Sequence, residues 1–102
     1  MKFAFDVDGV ITDAPNFFKI LILSLRNDGH EIHIISDFDE YFRDQRIAEL
    51  KKAGIEYDYF EITSKKEEYC ISKNIDFVID DEMHEYFPNR FAVPLSILEI
   101  KP

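Results

Sequence analysis

Two aspartates one residue apart, Asp6 and Asp8, close the apolar run Phe3-Ala4-Phe5, and Gly9 follows at once. A carboxylate at the end of a buried strand is costly unless it is paired, hydrogen-bonded or bound to a metal. This placement therefore points to a site at the strand's carboxyl end. A plain aspartate-glycine turn is the competing reading, since both residue types favour turns for local reasons. The pattern recurs downstream: Ser36 ends the run Ile32-His33-Ile34-Ile35, Lys65 and Lys66 follow a third strand-like run, and Asp80-Asp81 end Phe77-Val78-Ile79. Four carboxylates converging in a partly dry cleft repel one another, and a hard divalent cation with oxygen ligands, Mg²⁺ first among them, is the usual remedy.

These residues need a scaffold that brings strand ends together. The pattern predicts a first strand over Lys2 to Val7, then a helix from about Asn16 to Asp28, with Pro15 at a first helical position and Gly29 as its stop. That helix carries apolar residues over most of its circumference, so it should be covered beyond its sheet-facing side, by a neighbouring helix or a second subunit. A second strand, Glu31 to Ile35, leads to a helix over Glu40 to Ala53 capped by Asp37 or Asp39, with Phe42, Ile47, Ala48 and Leu50 on its apolar side. A third strand is expected over Ile55 to Ile62. Ser64 and Glu67 have the spacing of a capping box for a short helix over Lys65 to Lys73. Ile75 to Ile79 reads as a fourth strand, Glu82 to Phe87 as a helical turn, and Phe91 to Val93 or a little beyond as a last strand. Strands alternating with helices, the central ones apolar throughout, indicate a parallel sheet covered on both faces. The expected fold is a small doubly wound α/β sandwich of about five strands, one domain over 1–102, with ligands bound where the strands end.

Composition narrows the function classes. With 102 residues, 46% of them hydrophobic and ten Phe, the chain has material for one real core. A net charge of −9 argues against strong affinity for nucleic acid, which comes mainly from neutralising phosphates with Lys and Arg. The single cysteine, Cys70, cannot form an intramolecular disulfide and reads as a core residue. His33 lies within a strand pattern and reads as structural, and His84 sits in an acidic surface turn. Met1-Lys2 lead directly into a strand, and no apolar run approaches the roughly twenty residues of a membrane helix, so a soluble cytoplasmic protein is expected.

Asp6-Val7-Asp8-Gly9-Val10-Ile11-Thr12-Asp13, Ser36 after an apolar strand, a lysine at a helix start, and Asp80-Asp81 after another strand appear in this order over nearly the whole chain. In this the sequence resembles the phosphatases of the haloacid dehalogenase superfamily. The resemblance implies that Asp6 attacks phosphorus to form an aspartyl-phosphate and that Asp8 protonates the leaving oxygen, then deprotonates the attacking water. It implies further that Ser36 and the lysine bind the phosphoryl group, and that Asp6, the main-chain carbonyl of Asp8, Asp80 and Asp81 hold Mg²⁺. Of the two lysines, the spacing to Asp80 in small members of the family favours Lys66 over Lys65. Asp37 departs from the pattern, because a carboxylate beside Ser36 repels phosphate.

Larger members of that superfamily carry a cap domain, and neither Asp13 to Pro15 nor Gly54 to Ser64 leaves room for one. A capless site suits a bulky phosphorylated substrate or calls for another subunit as its lid. Two other classes compete: a module of this fold that binds phosphate with weak or no catalysis, and a receiver-like regulatory domain. The second would need its phosphoacceptor after the third strand, where the chain has Thr63-Ser64.

Overall fold

The structure is a computed structural model that describes residues 1–89 and the backbone of 96–99. The chain forms a small α/β fold: β1 (Lys2–Phe5), α1 (Pro15–Asn27), β2 (Glu31–Ser36), α2 (Arg43–Lys52), β3 (Tyr59–Ile62), α3 (Lys66–Ser72), β4 (Phe77–Asp80), α4 (Met83–Tyr86) and β5 (Ser96–Glu99). The strands pair in parallel in the order β3-β2-β1-β4-β5. The chain thus winds outward from β1 through β2 to β3, then returns to the other side of β1 at β4. That reversal leaves a crevice beyond the ends of β1 and β4, where ligands bind in open α/β sheets. The expected strand at Phe91 to Val93 lies outside the described residues.

Successive strand residues point to opposite faces, and the core divides accordingly. Phe5, Ile34 and Ile79 pack on one face with Phe18 and Ile22 of α1 and Leu50 of α2. Ala4, Ile35 and Val78 pack on the other with Cys70 of α3, Met83 of α4 and Phe87. The sheet is therefore covered by helices on both sides, the arrangement a Rossmann-like core requires.

Several local expectations need correction. Among the described residues nothing covers the outer side of α1: Phe18 and Ile22 are buried, whereas Phe17, Ile20 and Leu23 stand exposed. β3 is shorter than the apolar pattern implied, because the Asp58 carboxylate accepts the Ile32 amide (2.8 Å) and the Asp58 amide bonds the Ile32 carbonyl, so pairing enters the ladder only there. α2 keeps only Leu50 fully buried, while Phe42 and Ala48 are exposed. Asp39, not Asp37, caps the turn before α2 by accepting the Tyr41 amide at 2.9 Å. The capping box at Ser64 does not form: the Thr63 hydroxyl takes the Lys65 amide (2.9 Å), and Glu67 turns away to accept both the amide and the side-chain NH₂ of Asn89 (3.1 Å each). Buried His33 is structural as expected, bonded to Tyr69 and Glu31 through its two ring nitrogens.

Candidate active site

β1 ends at Phe5, two residues earlier than the expected Val7, and residues 7–11 form a tight π-type turn. Asp8 is extended within it and Gly9 adopts φ +80°, a conformation that favours glycine. The Thr12 amide closes the turn on the Val7 carbonyl (3.0 Å), and the Thr12 hydroxyl accepts the Gly9 amide (3.0 Å). Space matters as much as torsion here, since a Cβ on Gly9 would stand 2.0 Å from a carboxylate oxygen of Asp81. The turn holds the β1 end close against the β4 end.

Asp6, buried at 5% exposure, anchors the site. Its Oδ1 accepts the Val7 amide (2.9 Å) and the Lys66 ammonium (3.1 Å), and the Ser36 hydroxyl makes a longer contact of 3.5 Å. Lys66, at 1% exposure in the first turn of α3, also donates to Asp80 Oδ2 (2.8 Å), and its ammonium lies 4.1 Å from the centre of the Tyr86 ring. The other oxygen of Asp80 accepts the Glu82 amide at 2.8 Å. Lys65, the neighbouring candidate, is exposed. The structure thus brings Asp6, Ser36, Lys66, Asp80 and Asp81 together from four separate elements. Together with Asp8, Gly9, Asp37, Glu82 and Tyr86, all of these but Asp80 line a hollow of about 330 Å³.

Electrostatics mark this hollow as incomplete in charge. Burial pushes the Asp6 carboxyl up to about 7, with Lys66 pulling it down and Asp80 raising it further. Burial disfavours the charged form of Lys66 as well, but Asp6 and Asp80 outweigh it and raise its pKa. One buried ammonium therefore faces two buried carboxylates, with Asp81 close by. A cation would restore the balance, and the donors suit a hard one: an oxygen from each of Asp6, Asp80 and Asp81 falls within a group spanning 4.8 Å.

Asp8 behaves differently from Asp6. It is exposed, and its two oxygens receive Nη1 and Nη2 of Arg46, each at 3.0 Å, so its carboxylate lies outside the acidic cluster. The expectation of an Asp8 metal ligand concerned its main-chain carbonyl rather than this side chain. Asp37 is likewise engaged: it accepts the Tyr86 hydroxyl at 2.8 Å, which ties down the carboxylate that looked ill-placed beside Ser36. Burial, then this bond to Asp37, raise the Tyr86 pKa and keep the hydroxyl protonated. Arg46 and Tyr86 were missed by sequence reasoning. The Arg46–Asp8 pair spans 38 residues and Lys66–Tyr86 joins two helices, so no local spacing signals either contact.

No protein-family model matches the sequence, and no curated protein does. Among solved structures, a chain from the Pnkp1/Rnl/Hen1 RNA repair complex superposes with a TM-score of 0.75 at 14% identity, over 98% of this chain and 42% of that one. A chain from a second structure of the Pnkp1/Rnl/Hen1 complex gives 0.73 at 17% identity, over 98% and 46%. This chain spans less than half the length of either, and at these identities the likeness is one of fold.

Proposed function

We propose that this chain is a Mg²⁺-dependent phosphohydrolase of the haloacid dehalogenase type, acting on a phosphomonoester through an aspartyl-phosphate. The observation that carries the reading is the buried Lys66 ammonium bonded to both Asp6 and Asp80 at the crevice between β1 and β4. An isolated acidic turn would have no use for a lysine drawn from α3.

In this reading the Asp6 carboxylate attacks phosphorus, a P–O bond forms, and the ester P–O bond breaks with its electron pair moving to the leaving oxygen. Asp8 delivers a proton to that oxygen, then takes one from the water that hydrolyses the intermediate. Ser36 and Lys66, both lining the hollow, hydrogen-bond the phosphoryl oxygens as their charge redistributes. Mg²⁺ held by Asp6, Asp80 and Asp81 would neutralise charge on the phosphoryl group. Only residues 12–14 separate the first turn from α1, and only 63–65 separate β3 from α3, so no cap stands at either place. An open site suits a bulky substrate. The likeness to chains of an RNA repair complex puts phosphorylated nucleic-acid ends on the panel worth assaying, alongside phosphosugars, nucleotides and phosphopeptides.

The test is hydrolysis of an aryl phosphate with Mg²⁺, with EDTA, and after Asp6→Asn. Turnover that needs the metal and falls by at least about 10³-fold in the variant is expected. Metal-independent turnover, or turnover that tolerates asparagine, would sink the mechanism. Binding of Mg²⁺ and a phosphate analogue with no hydrolysis across the panel would instead favour a phosphate-binding module.

A further inference from the structure

The Arg46–Asp8 pair is the best-organised contact at the mouth of the site, and neither partner's position follows from the fold alone. Asp8 projects from a turn into solvent, with 52% of its side chain exposed, so packing does little to select its rotamer. The guanidinium does that instead, with both oxygens taken in fork-to-fork geometry at 3.0 Å each. Arg46 is itself held on further sides: its Cζ lies 5.0 Å from the centre of the Phe38 ring, and its Nη1 is 3.6 Å from Glu49. It also lines a second hollow of about 300 Å³ with Phe42, Gln45 and Glu49. Through its two bonds to Asp8, which lines the first hollow, Arg46 connects the two.

We infer that Arg46 is a positioning residue, which aims Asp8 at the leaving oxygen and contacts the incoming phosphate ester. The inference rests on the proposed hydrolase reading. With both oxygens of Asp8 engaged, proton exchange with a substrate needs one of the two bonds to loosen. Arginine suits this exchange because it has five donors: one can keep an Asp8 oxygen while another turns to the phosphate dianion. Lysine would supply charge at the same place but could not hold both partners in one plane.

Separate effects on the two kinetic constants follow. Arg46→Ala should lower kcat by about 10- to 100-fold, a fraction of what general acid–base catalysis supplies, and weaken both KM and the affinity for inorganic phosphate several-fold. Arg46→Lys should recover phosphate affinity to within about threefold of wild type while kcat stays low. Methylguanidinium should rescue part of kcat in Arg46→Ala and none in wild type. In an Asp8→Asn background, removing Arg46 should change kcat no further. A merely structural arginine would show neither the split between Ala and Lys nor the loss of effect behind Asp8→Asn. Wild-type kcat and phosphate affinity in Arg46→Ala, each within twofold, would overturn the inference and leave the hydrolase reading standing. Absence of wild-type turnover would sink the hydrolase reading, and equal phosphate affinity of wild type and Arg46→Ala by calorimetry would then overturn this one as well.

Discussion

Lys66 reaches the site from the first turn of α3, and its burial against Asp6, Asp80 and the Tyr86 ring makes it the residue on which the local charge balance turns. Breaking a buried pair leaves its partner charged and unpaired, at a cost of about 3–5 kcal/mol. Lys66→Met should lose stability on that scale in urea unfolding without metal, and regain part of it when Mg²⁺ supplies the missing charge. A variant as stable as wild type without metal would mean that Asp6 and Asp80 take up protons at little cost. Cys70 gives an independent check on the neighbouring core: it is fully buried, and burial pushes its thiol up to about 12. At pH 8 a maleimide should label it only through opening of the fold, far more slowly than a free thiol. At this scale the sequence was readable where motif residues sit at strand ends, as Asp6, Ser36 and Asp80 do. Between Lys65 and Lys66, adjacent residues at a helix start, only the family spacing to Asp80 favoured Lys66, and the fold buries that one and leaves the other exposed.

Elements set the spacing between these residues, and the turn after β1 is the most exacting of them. Gly9 satisfies two demands, a φ of +80° and no Cβ against Asp81. Gly9→Ala should therefore cost about 1–2 kcal/mol in backbone strain and displace Asp81. The diagnostic outcome is a loss of Mg²⁺ affinity, measured by calorimetry, larger than that caused by Gly29→Ala. Gly29 also has positive φ, but a Cβ there meets nothing within 4 Å. Equal effects of the two substitutions would show that strain alone matters. Element type and order were legible because apolar runs and their stops survive as one-dimensional patterns. Caps were less so: Thr63, Ser64 and Glu67 all carry capping chemistry, and the choice among them fell to Asn89, more than twenty residues away, which drew Glu67 off. The outer face of α1 shows the same limit, since hydrophobic circumference alone predicted a cover that the described residues do not supply.

Across the whole molecule, a net charge of −9 and an acidic site push in one direction, so the fold should be sensitive to the protonation of its buried carboxylates and to divalent cations. Asp6 gives the sign. Its carboxyl ordinarily titrates near 3.8 and is raised to about 7 in the folded protein, chiefly by burial. Between these values the folded state binds a proton that the unfolded state has released. The stabilisation it contributes is present in full below about pH 4 and is lost as pH rises towards 7, at up to about 1.4 kcal/mol per unit. In the proposed reading Mg²⁺ would bind the ionised form, so its effect should run the other way, growing with pH to about 7 and levelling off above it. At a hundred times its dissociation constant the ion would add about 2.7 kcal/mol. Thermal unfolding of wild type and Asp6→Asn from pH 4.5 to 8.5, with EDTA or with Mg²⁺, separates this from the titration of the remaining surface. Wild type in EDTA should lose Tm relative to the variant as pH rises to about 7, and Mg²⁺ should reverse that loss in wild type alone. Parallel curves for the two proteins in EDTA would show that Asp6 is already ionised at low pH, with Lys66 outweighing burial, and would overturn the pH dependence assigned to Asp6.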